Sequence, residues 1–535
     1  MSQAFGVSCR GGLNTNLNQF DMLSQPGLAT QLLNFEVDAD GGYRRINGYT
    51  VFGEELAVRP NGNNSVEGVA VYGDGVVVCS GTDIFFSIDG TSWLQINRAS
   101  VGVGGDNYAT FTGRAILPRT DQGQCSFVTF EGSTYNYGEL IIADGANKLF
   151  SFRMEGTGDL NTRTFFAYEI TVDGTNGVKY ITIHDHHLIA AGVENNLSTV
   201  YYSAYNRPDD FTGTGSGAIT ISDQLVGIRG FRESLILFAK NSLHKLININ
   251  DPSNIRTDPI TENVGCLSGY SIQEIGGDLV FLSPDGIRTV AGTARIGDVE
   301  LGSVSRQVQQ ILSRLALNIN EYTITSTVLR AKSQYRLFYS DPASNYSVAR
   351  GLIGTFTPNG FEWSEVQGIQ AFGLVSGFNN NGIEVSYHGD RDGYIYNHDT
   401  GNAFNPAGTL VNIQAIYQTP NYDFGDIGTR KTLKYMRISF SPEGQVQPSI
   451  RIRYDYESTT IPQPDDYVLD SIPSPAIFGL STFGTVLFGG TRDPMVRQTV
   501  EGSGNTCSFR LISNDTNAPY SINGFYIDYM PVGRR

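Results

Sequence analysis

The densest group of residues able to do chemistry is His184-Asp185-His186-His187. Imidazoles and carboxylates are the usual ligands of zinc and related metals, but a metal needs them to converge on one point. These four sit between Tyr180-Ile181-Thr182-Ile183 and Leu188-Ile189, two apolar runs that read as strands. Neighbours in a hairpin point alternately up and down, so at most His184 and His186 share a face, and a polar turn is the expectation. Asp38-Ala39-Asp40-Gly41 and Asp390-Arg391-Asp392-Gly393 look like fragments of calcium loops. Neither continues to a carboxylate at the twelfth position, and Asp-Gly is a favoured hairpin turn in its own right. No metal site and no cofactor is expected.

Spacings that announce catalysis are absent. There is no GxSxG elbow, P-loop, HExxH helix or plausibly placed Cys-His pair, and six histidines, three of them in one turn, leave few general bases. No catalytic residue is assigned, and the chain is not read as an enzyme. Carboxylates are plentiful, so a pair drawn from two different repeats is the one catalytic option, and a glycan-binding or glycan-hydrolysing propeller is the alternative reading. Ser87-Ile88-Asp89-Gly90-Thr91-Ser92-Trp93 resembles the Asp box of sialidase-like propellers, but it lacks one residue before the glycine, and that box is itself a structural turn.

Acidic residues outnumber basic ones 53 to 37, a formal charge of −16. That excludes a generic nucleic-acid binder, which needs clustered Lys and Arg to neutralise phosphates. It does not exclude DNA as a neighbour, because an acidic wall repels a duplex and lets it slide past. Arg430, Lys431, Lys434, Arg437, Arg451 and Arg453 gather positive charge against this background, as a solvated strand face or a dock for an acidic partner, another copy included. Cys9, Cys79, Cys125, Cys266 and Cys507 are odd in number and far apart, so a reducing compartment fits better than a disulfide framework. With no basic-then-apolar leader and no apolar run near 20 residues, a soluble protein made in the cytoplasm is expected.

The elements that must position these residues follow a hairpin recurring about every 45 to 65 residues, near the size of one propeller blade. It runs Val76-Val77-Val78 to Ile84-Phe85-Phe86, Leu140-Ile141-Ile142 to Leu149-Phe150, Leu188-Ile189 to Val200-Tyr201-Tyr202, and Leu235-Ile236-Leu237-Phe238 to Leu243. It returns at Leu279-Val280-Phe281-Leu282 to Ile287, at Leu337-Phe338-Tyr339 to Tyr346, and at Val385 to Tyr394-Ile395-Tyr396. The reading is all-β: an arm over 1–62, a β-propeller of six or seven blades over 63–405, and a sandwich-like β domain over 406–535. One helix is expected within 301–317, where Val304, Val308, Ile311, Leu312 and Leu315 keep a 3.6-residue period and Ser303 can cap. In the C-terminal part Ile450, Ile452, Tyr454 and Tyr456 alternate with charged residues as a half-buried strand. Phe478, Phe483 and Phe488, each followed by Gly, recur at a five-residue spacing that fits neither helix nor strand, so they are aromatic anchors on a looping segment.

The arm, GGLNTNLNQFDMLSQPGLATQLLNFEVDADGGYRRINGYTVFG, and the C-terminal Phe-Gly repeats, Val500-Glu501-Gly502, Phe509-Arg510-Leu511 and Ile522-Asn523-Gly524-Phe525 carry a resemblance. They are similar to the tail hub or nozzle, also called the packaged-DNA stabilisation protein, of short-tailed bacteriophages. The resemblance implies a structural virion protein made in the host cytoplasm and built into the tail. It implies a homo-oligomer, a six-fold ring below the portal and its adaptor, with further tail proteins (fibre, spike or needle) as partners. Double-stranded DNA would pass through without sequence-specific binding, held until ejection. A closed ring has two different patches per subunit, and Arg44, Arg45, Phe478, Phe483 and Phe488 are the candidate intersubunit contacts. A cellular scaffold propeller is a third reading, but it leaves the phage-like ends unexplained.

Overall fold

The computed structural model describes residues 2–38, 41–53, 59–96, 119, 123–131, 137–173, 177–251, 253–291, 303–472 and 494–534. The middle of the chain is a β-propeller. Blade one is the antiparallel sheet Val66–Tyr72, Gly75–Ser80, Asp83–Ser87 and Leu94–Gln95, and the remaining blades repeat that meander. Their innermost strands are Ser126–Phe130, Tyr180–His184, Leu225–Phe231, Gln273–Ile275, Thr323–Leu329 and Gly373–Phe378 for blades two to seven in chain order. Six blades are separate sheets of three or four strands; the seventh place in the ring, sixth in order, is filled by the first four strands of a nine-stranded sheet.

The apolar runs of the central strands follow from this stacking. A strand sandwiched between two blades buries both faces, so its alternate side chains go to opposite neighbours. Leu188 and Ala190 pack towards blade two while Ile189 and Ala191 pack towards blade four. Leu235 and Leu237 pack towards blade three while Ile236 and Phe238 pack towards blade five. Burial of each such side chain contributes about 1.5–3 kcal/mol, and no blade can achieve it alone. The ring closes between ends of the chain: Tyr49–Val51 pairs antiparallel with Ile395–His398 as the outer strand of blade seven. At the inner seam a Cβ on Gly373 would stand 2.9 Å from the Cα of Gly68, so blades seven and one meet backbone to backbone.

The expected helix is shorter than its pattern, Gln309–Leu317 with a 3-10 turn at Arg306–Val308 before it. Val308, Leu312 and Leu315 are buried against blade five and the C-terminal layer. Ser303 does not cap it. A backbone bridge between Ser303 and Arg288 holds that residue at the edge of blade five.

The N-terminal segment is built into its own chain. Gln31–Leu33 lies between the last strand of blade six, Gly360–Gln367, and Ile413–Gln418, so one sheet runs from the propeller through the arm into the C-terminal layer. That sheet continues with Cys507–Asp515, Ser449–Tyr454 and Tyr467–Val468. The facing sheet joins Phe35–Val37 and Tyr43–Arg45 to Tyr520–Arg534, Thr429–Pro442 and Met495–Thr499, with Gln3–Ser8 paired to Tyr520–Arg534. Their shared core holds Phe35, Tyr43, Ile438, Phe440, Ile450, Ile452, Phe509 and Ile522. The alternation through Ile450 stops at Tyr454, because Asp455, Tyr456 and Glu457 all take positive φ and turn the chain, leaving Tyr456 exposed.

Candidate functional site

Two cavities stand out. The axial one, about 330 Å³, is lined by the inner strands of all seven ring positions. Its polar groups are largely committed to holding the strands. Gln124 donates to the Ile324 carbonyl, Gln273 to Ser326, Ser326 to the Tyr270 carbonyl and Tyr270 to the Gln124 carbonyl. Among the described residues its one lining carboxylate, Glu67, accepts from Ser65 Oγ and the Gly81 N–H and faces Arg119. Arg229 is the exception, with no hydrogen-bond or ion-pair partner among the described residues. Solvent reaches it along the shaft, yet protein surrounds it, and desolvation lowers the pKa of its guanidinium.

The second cavity, about 290 Å³, lies on the side of the ring where blade seven meets the loops around Asn345 and Pro406. Asp390 reaches it from the turn that looked like a calcium-loop fragment. The segment is a turn: Asp390 Oδ1 accepts the N–H groups of Asp392 and Tyr394 at 2.9 and 2.8 Å, while Oδ2 accepts the Tyr396 hydroxyl at 2.7 Å. Burial pushes the Asp390 carboxyl up to about 6 against these donors. His388, 1% exposed, stacks on Tyr396 and meets Tyr49 edge-on, and burial lowers its pKa to about 3, so the ring is neutral.

Behind that wall lies a buried charge network reaching the arm. Glu36 accepts from Arg44 at 2.8 Å, Lys332 at 2.9 Å, Arg336 at 3.0 Å and Gln334 at 3.1 Å. Arg336 and Lys332 also pair with Asp399, at 3.0 and 2.7 Å. Burial opposes ionisation of Asp399, but the two cations outweigh it and hold its carboxyl below the ordinary range. His398, buried beside Arg336, is pushed well below its usual pKa and stays neutral. Sequence reasoning missed Glu36, Lys332, Arg336, His388 and Gln370, which come from four separate stretches of chain and share no local spacing.

The residues singled out by sequence are dispersed. His184 and His187 are the ladder pair of a two-residue hairpin whose central Asp185 and His186 have positive φ, so the histidines on one face are His184 and His187, not His184 and His186. The turn reverses the chain, which makes positions three apart direct neighbours. His187 lies between the Ser203 carbonyl and Asn250 Oδ1. Among the described residues no group of three or more His, Cys, Asp or Glu could hold a metal. Asp89 Oδ1 accepts the N–H groups of Thr91 and Ser92, and Trp93 folds back onto the Gly90 carbonyl, a turn closing blade one.

Both arm arginines are engaged inside the chain. Arg44 pairs with Glu36 and Glu443. Arg45 is fully buried, donating to the carbonyls of Asn517 and Asp515 and pairing with Asp515 at 3.4 Å, so it has no face to offer another copy. Phe478, Phe483 and Phe488 lie outside the described residues. The basic group divides between the two sheets of the sandwich: Arg451 and Arg453 converge on Asp466, whereas Lys431 is buried on backbone carbonyls. Arg437 pairs with Asp528 on an outer sheet face that also exposes Tyr526, Arg497 and Met495.

No family model and no curated protein matches this chain. Among solved structures it is similar to the AfRom2 CNH domain, at 12% identity and a TM-score of 0.36, covering 66% of this chain and 100% of that one. The Neurospora crassa Pan2 WD40 domain is similar at 8% identity and TM-score 0.36, covering 66% and 96%. An exo-β-1,3-galactanase from Phanerochaete chrysosporium is similar at 9% identity and TM-score 0.25, covering 90% and 100%. The likeness is to propeller folds and extends to no activity.

Proposed function

We propose that this protein is a structural component of a phage tail, a nozzle or hub subunit that assembles into a six-fold ring continuing the DNA channel. The observation that carries the reading is the meeting of the two stretches similar to that family. Tyr43 of the arm pairs with Ile522, and just ahead of the arm motif Val7 and Ser8 pair with Phe525 and Gly524 while the Cys9 N–H donates to the Asn523 carbonyl at 3.1 Å. Two motifs some 480 residues apart in the sequence thus make one sheet, the natural result if both belong to a single assembly module. The acidic excess suits a wall past which DNA slides. The outer face bearing Tyr526, Arg437 and Arg497 is the patch where an acidic neighbouring copy would dock. The rival glycan-cleaving reading wants paired free carboxylates at the axis, and among the described residues the lining there supplies only Glu67, already engaged.

Negative-stain electron microscopy of the purified protein, alone and with a portal–adaptor complex, tests this. The expected result is a six-fold ring with a hole of at least about 20 Å, wide enough for a duplex whose major groove alone spans about 12 Å. A chain that stays monomeric in both samples, or that cleaves glycans as a monomer, overturns it.

A further inference from the structure

The side cavity at blade seven has its hydrogen-bonding sense dictated from behind. Arg336 can only donate, so at 3.1 Å it fixes His398 Nε2 as an acceptor and leaves the proton on His398 Nδ1. That N–H faces His388 Nδ1 at 3.3 Å, which must accept, so His388 carries its own proton on Nε2. His388 lines the cavity, and its Nε2 has no partner among the described residues. Acceptors complete the wall: the carboxylates of Asp390 and Asp392, and the Oε1 of Gln370, whose amide nitrogen is spent on the Ser344 carbonyl. Tyr49, Tyr346 and Tyr396 supply aromatic surface.

This combination selects a ligand class. An ammonium brings donors only and leaves the His388 Nε2–H unanswered in a buried place, where an unpaired donor is costly. An anion brings acceptors only and meets two carboxylates. A hydroxyl both donates and accepts, and adjacent hydroxyls on a ring whose C–H face packs on tyrosine satisfy the whole wall. At about 290 Å³ the space is at the small end of the roughly 300–1,000 Å³ usual for ligand pockets, which suits one ring and not a chain. We propose that this cavity binds a single pyranose sugar residue, with His388 donating to one hydroxyl and Asp390 and Gln370 accepting from its neighbours. The site is complete within one chain, so it stands or falls independently of ring assembly.

Saturation-transfer NMR on the full chain, with glucose, galactose, mannose and N-acetylglucosamine as separate probes, tests this. Methylammonium and acetate serve as donor-only and acceptor-only competitors. The expected result is transfer to at least one sugar, undiminished by either competitor. The transfer is abolished by Asn345→Trp, which fills the exposed rim without touching the buried network, and the affinity falls at least tenfold in His388→Phe, which keeps the ring stack and removes the donor. No transfer to any of the four sugars, displacement by methylammonium or acetate, or transfer that survives Asn345→Trp would overturn the assignment.

Discussion

Glu36 is the point at which the arm is riveted to blade six, and removing it offers the sharpest test of how the chain is held together. Its carboxylate, 3% exposed, receives donors from Arg44, Lys332, Gln334 and Arg336, three of them cationic. Glu36→Ala leaves the guanidinium of Arg336, 2% exposed, sharing Asp399 with Lys332. His398 cannot accept a compensating role because its neutral ring is already an acceptor for Arg336. Breaking a buried pair by deleting one partner costs about 3–5 kcal/mol, so that is the expected destabilisation of the junction. A chain of this size unfolds in more than one step, so the assay is local: native-state hydrogen exchange of amides in Phe35–Val37 and Gln334–Ser340. At about 1.4 kcal/mol per decade those amides exchange roughly 10² to 10³ times faster or more where this junction governs their opening. Glu443→Ala removes the other carboxylate on Arg44, but Glu443 is 47% exposed, and its loss costs under about 1 kcal/mol. If the two substitutions behave alike, the claim that burial makes Glu36 decisive is wrong.

Two further outcomes follow from the same physics. Asp390 is raised from 3.8 to about 6 by burial, so the folded state holds its proton more tightly than the unfolded chain. Its contribution to stability is therefore greatest below pH 4 and falls as pH rises to about 6, by on the order of 2–3 kcal/mol. Because the buried, neutral His388 and His398 make stability rise with pH in both proteins, the Asp390 contribution is read from the difference: in denaturant titrations from pH 4 to 7 the stability of the wild type relative to Asp390→Asn should fall with rising pH, and a difference that rises or stays flat counts against the assignment. Gly373→Ala forces a Cβ against the backbone of Gly68 and should cost about 1–3 kcal/mol at the closing seam, read as a lowered melting temperature, whereas Gly382→Ala tests positive φ alone because its Cβ would meet nothing within 4 Å.

What the sequence determined by itself was the unit of construction. Paired apolar runs around Gly, Asp and Asn turns specify hairpins. Runs such as Leu235 to Phe238, apolar at every position, require a sheet covered on both sides, which only stacked blades provide for a chain with so little helix pattern. The calcium-like Asp390 segment and the Asp box were legible as turns for the same local reason, since Asx turns are closed by residues two to four positions away. The tertiary structure decided everything that joins distant segments. Gln31–Leu33 reads as a weak, isolated strand because its partners lie more than 300 residues downstream. Arg44 and Arg45 read as contacts with another copy because nothing nearby in the chain announces Glu443 or Asp515. The proton on His388 Nε2 depends on a relay through His398 to Arg336, and periodicity carries no information about a hydrogen-bond chain whose members meet only when the ring has closed. Local pattern records which face of an element must be buried, while the identity of what buries it is a property of the closed fold.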